Sequence, residues 1–419
     1  MGLCLVLKLA CFAGGLVTQA WYKGWNKSST HDMLNRLTNS MSKRDAMNGV
    51  AIIYGNQVET MVPWLVEETG CFGRLRPDDS IVIKPNLVAS RKDWIGVDTD
   101  PRVIESLVKC LKERGVQRIT VGDGSGMGNS ATKAFDYCGY RDLSARYGFR
   151  LVDLERDEFI KKPVSIEGPF KSLEISRTVL ECDFFINVPV MKAHNETLIT
   201  CSLKNLKGTM SRSMKTAFHS AGLHKAIAQL NSVLVPDLIV VDGLRGDLHS
   251  ESGHDPVAMD RIIMGTNPVE VDSVVADTLG YTPRAIRHIA YSADAGLGMC
   301  DLEKIKIHFL NRPSTKERFT PPVHYTKRFP CHISAEGACC TCVGNFVFAL
   351  ERLKEQGVLR EGLSFLIGQN SKMTADTKGL TIAVGQCASK VEGVDLRIDG
   401  CPPSARKICQ RVASMKEVE

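Results

Sequence analysis

The sequence predicts an α/β protein whose main domain is a mostly parallel, doubly wound sheet with helices on both faces. From Asp79 onward, short apolar runs alternate with amphipathic helical patterns, which is typical of repeated strand–helix–strand units. The apolar runs are nearly uninterrupted, as in strands that are covered on both sides. A smaller C-terminal α/β module rich in cysteine follows. The 419 residues are long enough for two such domains.

Residues 1–48 are predicted to be a poorly ordered leader that belongs to no domain. Residues 3–20 are mostly apolar, but Lys8 interrupts them and the remaining runs are too short to cross a bilayer. No basic segment precedes them, although a secretion signal would require one. We therefore expect no stable membrane span.

The main domain, residues 49–311, is predicted to contain at least four strands and three helices. Asp100-Pro101 marks one helix start, because an aspartate caps free backbone N–H groups and proline is tolerated at the first helical position. The predicted strands are 81–83, 118–121, 184–188 and 238–241, and the predicted helices are 101–114, 223–233 and 268–279.

A polar, proline-containing linker at residues 312–329 is predicted to lead into the C-terminal module, residues 330–419. Apolar residues at helical spacing and short β-branched runs predict an α/β arrangement there as well. The expected elements are a helix at 345–356, strands at 363–367, 380–384 and 394–398, and a helix at 402–415.

Composition narrows the functional classes. The net charge of +6 arises from 53 basic and 47 acidic residues that are mixed along the chain. No basic run is interleaved with aromatic residues, so we expect no nucleic-acid partner. Fifteen cysteines are an odd number, and those before residue 330 are scattered singly, so a disulfide framework is not indicated. These features favour a reducing, cytoplasmic compartment.

Polar side chains follow the predicted strands where a doubly wound sheet binds its ligands, outside the carboxyl ends. Lysines near a glycine-rich turn, residues 122–128, favour a small anionic molecule with a carboxylate or phosphate group. The residues predicted to bind this substrate are Lys84, Asn86, Asp123, Lys192, Lys204 and Asn205.

Three further residues are candidates for proton transfer. Five of the ten histidines lie between His194 and His254, and a neutral imidazole is well suited to general acid or base catalysis. We expect His194 or His219 to move protons and Asp242 to orient one of them. A second metal held by histidines and Asp242 is the alternative, although no H-x-x-H or H-x-x-x-H ligand pair is present.

Four C-terminal cysteines have the spacing of a metal site: Cys339, Cys342, Cys387 and Cys401. Four thiolates suit either zinc or an iron–sulfur cluster. Zinc ribbons present two C-x-x-C knuckles, whereas Cys387 and Cys401 are 14 positions apart. This split pair, and the proline after Cys401, favour an iron–sulfur cluster of the 4Fe–4S type over zinc. Cys340 is an alternative ligand to Cys339.

Phrases such as Ile83-Lys84-Pro85-Asn86-Leu87 and Met191-Lys192-Ala193-His194, taken together with others in the same order, resemble the family known as domain of unknown function 362. Two of them depart from the usual pattern, since Ala193 replaces threonine between Lys192 and His194, and Asn267 replaces the aspartate of an Asp-Pro-Val phrase. The resemblance extends over about residues 81–302. It is carried by Ile83-Lys84-Pro85-Asn86-Leu87, Thr99-Asp100-Pro101, Gly122-Asp123-Gly124, Ile186-Asn187-Val188-Pro189, Met191-Lys192-Ala193-His194, the run from Ser202 to Gly208, Phe218-His219, Val241-Asp242-Gly243 and Asn267-Pro268-Val269.

The resemblance implies an iron–sulfur-linked protein with a redox role, and it brings no established reaction. We expect an oxidoreductase or an electron-transfer-linked protein that acts on the anionic substrate, with a redox protein as a possible partner. Two alternatives remain open: a non-catalytic electron carrier or ligand-binding protein, and a protein with a structural four-cysteine zinc site.

Overall fold

Sixteen strands and twelve α-helices lie in the part of the chain that the computed structural model describes. The predicted leader, apart from residue 48, lies outside it, and so do Cys339 and His254. The described residues are 48–88, 91–126, 129–249, 251, 255–312, 317–321, 324–338 and 340–417.

The strands are β1 (Val50–Tyr54), β2 (Ser80–Pro85), β3 (Arg118–Asp123), β4 (Arg150–Asp153), β5 (Phe159–Pro163), β6 (Ser172–Ser176), β7 (Phe184–Val188), β8 (Lys192–His194), β9 (Leu198–Thr200), β10 (Leu238–Asp247), β11 (Pro256–Gly265), β12 (Ile307–Phe309), β13 (His332–Ser334), β14 (Leu363–Ile367), β15 (Leu380–Val384) and β16 (Leu396–Ile398). The helices are α1 (Val58–Thr69), α2 (Pro101–Glu113), α3 (Ala131–Tyr137), α4 (Tyr140–Tyr147), α5 (Arg177–Leu180), α6 (Ser202–Asn205), α7 (Arg212–Ala221), α8 (Leu223–Val233), α9 (Pro268–Thr278), α10 (Arg287–Asp294), α11 (Cys340–Glu355) and α12 (Ala405–Ala413).

The main sheet has eight strands in the order β12-β1-β11-β10-β7-β2-β3-β4. Strand β11 runs antiparallel to both of its neighbours, β1 and β10, and the other neighbouring pairs are parallel. The predicted α/β class with a large, mostly parallel sheet is therefore confirmed. The hairpins β5–β6 and β8–β9 stand outside this sheet.

Helices cover both faces of the main sheet because each presents an apolar side to it. On one face, Val62 of α1 and Leu107 of α2 are fully buried in a core that includes Ile83 of β2. On the other face, Ile227 of α8 and Val275 of α9 share a second core. Asp100 caps α2 by accepting the Arg102 backbone N–H at 2.9 Å, as the sequence predicts.

The C-terminal module has its own four-stranded parallel sheet, in the order β13-β14-β15-β16. Helices α11 and α12 pack on it, and Phe346, Leu350, Phe365 and Ile382 are fully buried between them. Helix α11 begins at Cys340, five residues before the predicted start, so its first turn carries the cysteine segment.

Part of the predicted linker is packed against the main domain. The backbone N–H of Phe319 donates to the Thr278 carbonyl at 2.7 Å, and Arg318 pairs with Asp277 at 2.9 Å. The described residues from 48 onward belong to one compact unit. In the described part of the chain, no helix is both long enough and apolar enough to cross a bilayer.

Candidate functional site

A cavity of about 340 Å³ opens at the carboxyl ends of β2 and β3. Its wall includes Lys84 and Asn86 from the end of β2, and Asp123 and Gly124 from the end of β3. The carboxyl ends of neighbouring parallel strands lie at the same edge of a sheet. Lys84 and Asp123, which are 39 positions apart in the sequence, therefore meet at this edge. This is the edge at which the sequence predicts a ligand.

Lys84 is the centre of a buried polar network. Its ammonium lies 2.6 Å from an Asp123 carboxylate oxygen and donates to Asn205 Oδ1 at 3.1 Å. Asp123 also accepts the backbone N–H of Leu87 at 2.7 Å and that of Gly124 at 2.9 Å. Burial lowers the pKa of Lys84 and raises that of Asp123, and their mutual attraction opposes both shifts. The network fixes the cavity floor.

Two glycines allow this network to pack closely. A Cβ at Gly208 would lie 2.0 Å from Asp123 Oδ1 and 2.8 Å from Lys84 Nζ. A Cβ at Gly124 would lie 2.7 Å from the Gly208 carbonyl oxygen. These glycines are therefore required by close approach of the backbone to charged side chains.

The cavity carries an excess of positive charge. Among the described residues, five cationic side chains and two carboxylates line it: Lys84, Arg91, Lys204, Lys207 and Lys215, with Asp123 and Glu251. Lys204 is half-buried and makes no hydrogen bond or ion pair to the described residues. Lys215 donates to the Gly124 and Ser125 carbonyl oxygens at 2.9 and 3.1 Å. An anion would balance this charge.

His194 and His219 also line the cavity. The contacts of each ring determine which of its two nitrogens carries the proton. His194 Nδ1 accepts the backbone N–H groups of Glu196 and Thr197, each at 3.1 Å. The proton of a neutral His194 ring is therefore on Nε2, which lies 3.9 Å from Glu251 Oε1. Burial, together with Lys204 and Lys207, moves the pKa of His194 well below its ordinary value.

His219 has the opposite tautomer. The Lys207 ammonium lies 3.0 Å from His219 Nε2. Because an ammonium group can only donate hydrogen bonds, His219 Nε2 is the acceptor. The ring proton is then on Nδ1, 3.9 Å from a Glu196 carboxylate oxygen. Burial lowers the pKa of His219 to about 2, with Lys207 and Lys204 contributing. Both imidazoles are therefore neutral in the folded protein near pH 7.

The predicted residues Lys192 and Asp242 lie outside the lining of this cavity. Lys192 is fully buried, donates to the backbone carbonyls of Val97 and Glu251, and has its pKa lowered by burial to about 8. Asp242 accepts the backbone N–H groups of Asp100 and Leu244 at 2.7 and 3.1 Å. Burial raises the pKa of Asp242 to about 7. Both residues hold loops around the site in position.

The cavity wall contains polar atoms that have no hydrogen-bond partner among the described residues, namely Asn86 Oδ1, Ser125 Oγ and Thr200 Oγ1. Their residues are 7%, 2% and 2% exposed, so bulk solvent reaches them poorly. A buried polar group without a partner costs roughly 1–3 kcal/mol. Such groups at the wall of a cavity are suited to a polar ligand.

The C-terminal module brings three distant cysteine segments together. A Cβ at Gly385 would lie 3.6 Å from Cys342 Sγ and 3.7 Å from the Gly400 carbonyl oxygen. The Gln386 backbone N–H, beside Cys387, donates to that same Gly400 oxygen, beside Cys401, at 2.9 Å. Cys339 lies outside the described residues. Within the described part of the chain, no three His, Cys, Asp or Glu side chains are grouped to hold a metal ion.

Helix α11 connects the cysteine segments to the cavity. Cys342 is in its first turn, and Gly344, Asn345 and Phe348 further along line the cavity. The Asn345 side chain donates to the Pro403 carbonyl oxygen at 3.0 Å, two residues after Cys401. One helix therefore supplies both a thiol of the cysteine segments and a wall of the basic cavity.

Sequence reasoning missed several residues of the cavity. Lys207 stands three positions after Lys204, a spacing that places both on one side of a helical turn and could have revealed it. No sequence pattern marks Lys215 or Phe348 as a cavity residue. They line the cavity because of how helices α7 and α11 pack in the folded chain.

Residues 81–277 match the family model described as domain of unknown function DUF362. A thylakoid-associated protein of Synechocystis sp. is 25% identical over 245 residues, which cover 56% of this chain and 73% of that protein.

Two solved structures show weak similarity. A Thermotoga maritima protein has 14% identity and a TM-score of 0.33, covering 44% of this chain and about half (49%) of its own. The lactate racemase apoprotein of Thermoanaerobacterium thermosaccharolyticum has 12% identity and a TM-score of 0.35, covering 83% of this chain and 72% of its own.

Proposed function

We propose that this protein, which carries a DUF362 domain at residues 81–277, binds a small anionic substrate in its basic cavity and acts in redox chemistry with an iron–sulfur cluster on the C-terminal cysteines. The observation that carries the proposal is the position of helix α11. Its first turn holds Cys342, and its next residues line the cavity. A substrate in the cavity would therefore lie beside the cysteine segments.

The anion-binding part of the proposal rests on the positive charge of the cavity and on hydrogen-bond donors in its wall. Lys204 is half-buried in the cavity wall without a described ion pair, and a buried cation is costly unless it gains an anionic partner. His194, with its proton on Nε2, is a neutral donor at the same wall. A carboxylate or phosphate group could accept hydrogen bonds from both. Among the predicted roles for His194, this geometry favours donation over proton abstraction.

The cluster-binding part of the proposal rests on the chemistry of the cysteine thiolates as metal ligands and on the proximity of the segments that carry them. Cys342, Cys387 and Cys401 lie on backbone segments that contact one another, and thiolates are the usual ligands of iron–sulfur clusters. Such a cluster supplies electron transfer when bound. Cys342 is near the N-terminal end of α11, where the helix dipole stabilises a thiolate. Cys339 or Cys340 would supply the fourth thiolate.

The anion site is tested by titrating inorganic phosphate and acetate into the purified protein with calorimetry. Substituting Lys204→Ala should weaken the binding of at least one anion roughly tenfold or more, because a charge-assisted hydrogen bond is lost. Lys306→Ala, which removes an exposed lysine next to β12 at the sheet edge, is the matched control and should bind like wild type. Equal binding by both variants would place the anion elsewhere.

The cluster is tested by anaerobic purification followed by iron and sulfide assays and an absorbance spectrum. Cys342→Ser, Cys387→Ser and Cys401→Ser should each lose iron. Cys409→Ser should retain it, because Cys409 lies within α12 and contacts the Ala349 carbonyl oxygen at 3.6 Å. Stoichiometric zinc without iron would instead support the structural four-cysteine site and remove the redox role.

A second candidate is a ligand-binding protein without a metal. The observation that favours it is the cavity itself, whose basic side chains and unpartnered polar atoms suit an anion whether or not the cysteines hold a metal. Under this proposal the cysteine substitutions leave anion binding unchanged and no preparation contains stoichiometric metal.

A further inference from the structure

The orientation of three buried amides can be worked out from the atoms they contact. Asn187 Nδ2 faces the Ser202 carbonyl oxygen at 3.1 Å, which can only accept, so Asn187 Oδ1 is the atom 2.8 Å from Asn205 Nδ2. At the other end, the Lys84 ammonium can only donate, so its partner at 3.1 Å is Asn205 Oδ1. The two assignments agree, which fixes Asn205.

The orientation of Asn86 follows from that of Asn205. Asn205 Oδ1 lies 3.0 Å from one terminal atom of Asn86, which must therefore be the donor Nδ2. The other terminal atom is the acceptor Oδ1, and it has no donor among the described residues. Asn86 is 7% exposed and lines the cavity. The cavity wall thus contains a buried acceptor whose orientation cannot be reversed without breaking the network.

This acceptor restricts the chemistry of the ligand. A carboxylate or a fully ionised phosphate offers only acceptors, so such an anionic group cannot itself satisfy Asn86 Oδ1. A ligand that satisfies this acceptor directly brings a proton donor as well. An ammonium group would be repelled by the cationic side chains of the same cavity, including Lys204 and Lys215, whereas a hydroxyl is neutral and would not be.

We propose that the ligand is a small hydroxylated anion whose hydroxyl group donates a hydrogen bond to Asn86 Oδ1. Its anionic group is held by Lys204 and its neighbours, so the inference rests on the proposed anion site. The Ser125 and Thr200 hydroxyls, also without described partners, can donate to or accept from further oxygen atoms of such a ligand. Asn86 is then the residue that separates hydroxylated from plain anions.

The test compares matched probes on the full-length protein by calorimetry. The phosphate pair is glycerol 3-phosphate and propyl phosphate, and the carboxylate pair is glycerate and propanoate. In at least one pair the hydroxylated member should bind roughly tenfold or more tightly, because its absence leaves a buried acceptor unpaired. Equal affinities within both pairs would overturn the hydroxyl inference while leaving the anion site intact. If none of the probes binds, and inorganic phosphate and acetate do not bind either, both the hydroxyl inference and the proposed anion site are wrong.

A substitution links this preference to Asn86. In Asn86→Leu, the difference within the responding pair should shrink to less than about twofold, because the acceptor is gone and both probes meet an apolar side chain. Asn56→Leu, which changes an exposed asparagine in the turn after β1, should retain the full difference. A full difference in Asn86→Leu would assign the preference to another residue. The wild-type comparison stands even if Asn86→Leu does not fold.

Discussion

At the scale of single residues, the site depends on side chains whose protonation is set by their neighbours. His194 receives two backbone N–H groups on Nδ1, and His219 receives the Lys207 ammonium on Nε2. Each ring therefore has one nitrogen occupied as an acceptor, and each is neutral. The sequence identifies both as histidines near a ligand site, but the tautomer depends on contacts that only the folded chain provides.

This arrangement predicts a pH-dependent loss of stability. The pKa of His219 is lowered from an ordinary 6.5 to about 2, mainly by burial, so between these values the unfolded chain binds a proton that the folded protein does not. The free energy of unfolding should therefore fall as the pH falls below 6.5. In His219→Asn this contribution disappears, so urea denaturation should show a smaller loss between pH 7 and pH 5 than in wild type.

The control for this experiment is His308→Asn, which changes an exposed histidine on the edge strand β12. That variant should lose stability between pH 7 and pH 5 as wild type does. If His219→Asn also behaves like wild type, the His219 ring is protonated in the folded protein and the assigned tautomer is incorrect.

At the scale of elements, local patterns predicted helices and buried strands well. The limits of α8 agree with the prediction, and α2 begins after its Asp100 cap, because apolar periodicity and capping are properties of adjacent residues. The hairpin β5–β6 was not predicted, since Phe159–Pro163 contains two lysines and a proline and is only partly buried. Its pairing depends on a partner strand rather than on its own sequence.

Asn267, at the start of helix α9, stands where the resembling sequences usually have aspartate, and its contacts give a physical reason for the amide. Asn267 caps the helix, with Oδ1 accepting the N–H groups of Val269 and Glu270 at 2.9 and 3.2 Å. Its Nδ2 also donates to the Leu297 carbonyl oxygen at 3.0 Å, which an ionised aspartate cannot do. The amide therefore joins the start of α9 to the segment after α10.

We expect Asn267→Ala to lower the free energy of unfolding by roughly 1–2 kcal/mol, because both the cap and the Leu297 contact are lost. Asn267→Asp keeps the cap and loses only the second contact, so it should fall between alanine and wild type. Urea denaturation at pH 7 measures both. An aspartate variant more stable than wild type would show that the Leu297 contact contributes nothing.

At the scale of the whole molecule, local patterns in the sequence indicate two sets of residues, but they do not show how the chain packs the two sets together. The strand-edge residues around Lys84 and the C-terminal cysteines each follow from local patterns. Their proximity does not, because it depends on how α11 packs against the main domain across more than 100 intervening residues. Non-local packing of this kind leaves no periodic signal in the chain. The lining of the cavity thus extends beyond residues 81–277, the region that matches the DUF362 family model.

This relation predicts that a residue of the C-terminal module controls binding in the main domain. Phe348 of α11 lines the cavity, and the Arg352 guanidinium lies 4.4 Å from its ring centre. Phe348→Ala should admit water and weaken the contacts between anion and lysines, because charges attract less strongly in a wetter environment. We expect a loss of phosphate or acetate affinity of roughly fivefold, or about 1 kcal/mol, by calorimetry.

Glu355→Ala is the matched control, because Glu355 is exposed at the end of the same helix and far along it from the cavity-lining residues. It should bind the anion like wild type or slightly better, since it removes a negative charge. Thermal melting establishes that both variants fold. If Phe348→Ala binds the anion with unchanged affinity, α11 only adjoins the cavity, and the case for joining the cysteine segments to the anion site in one function is lost.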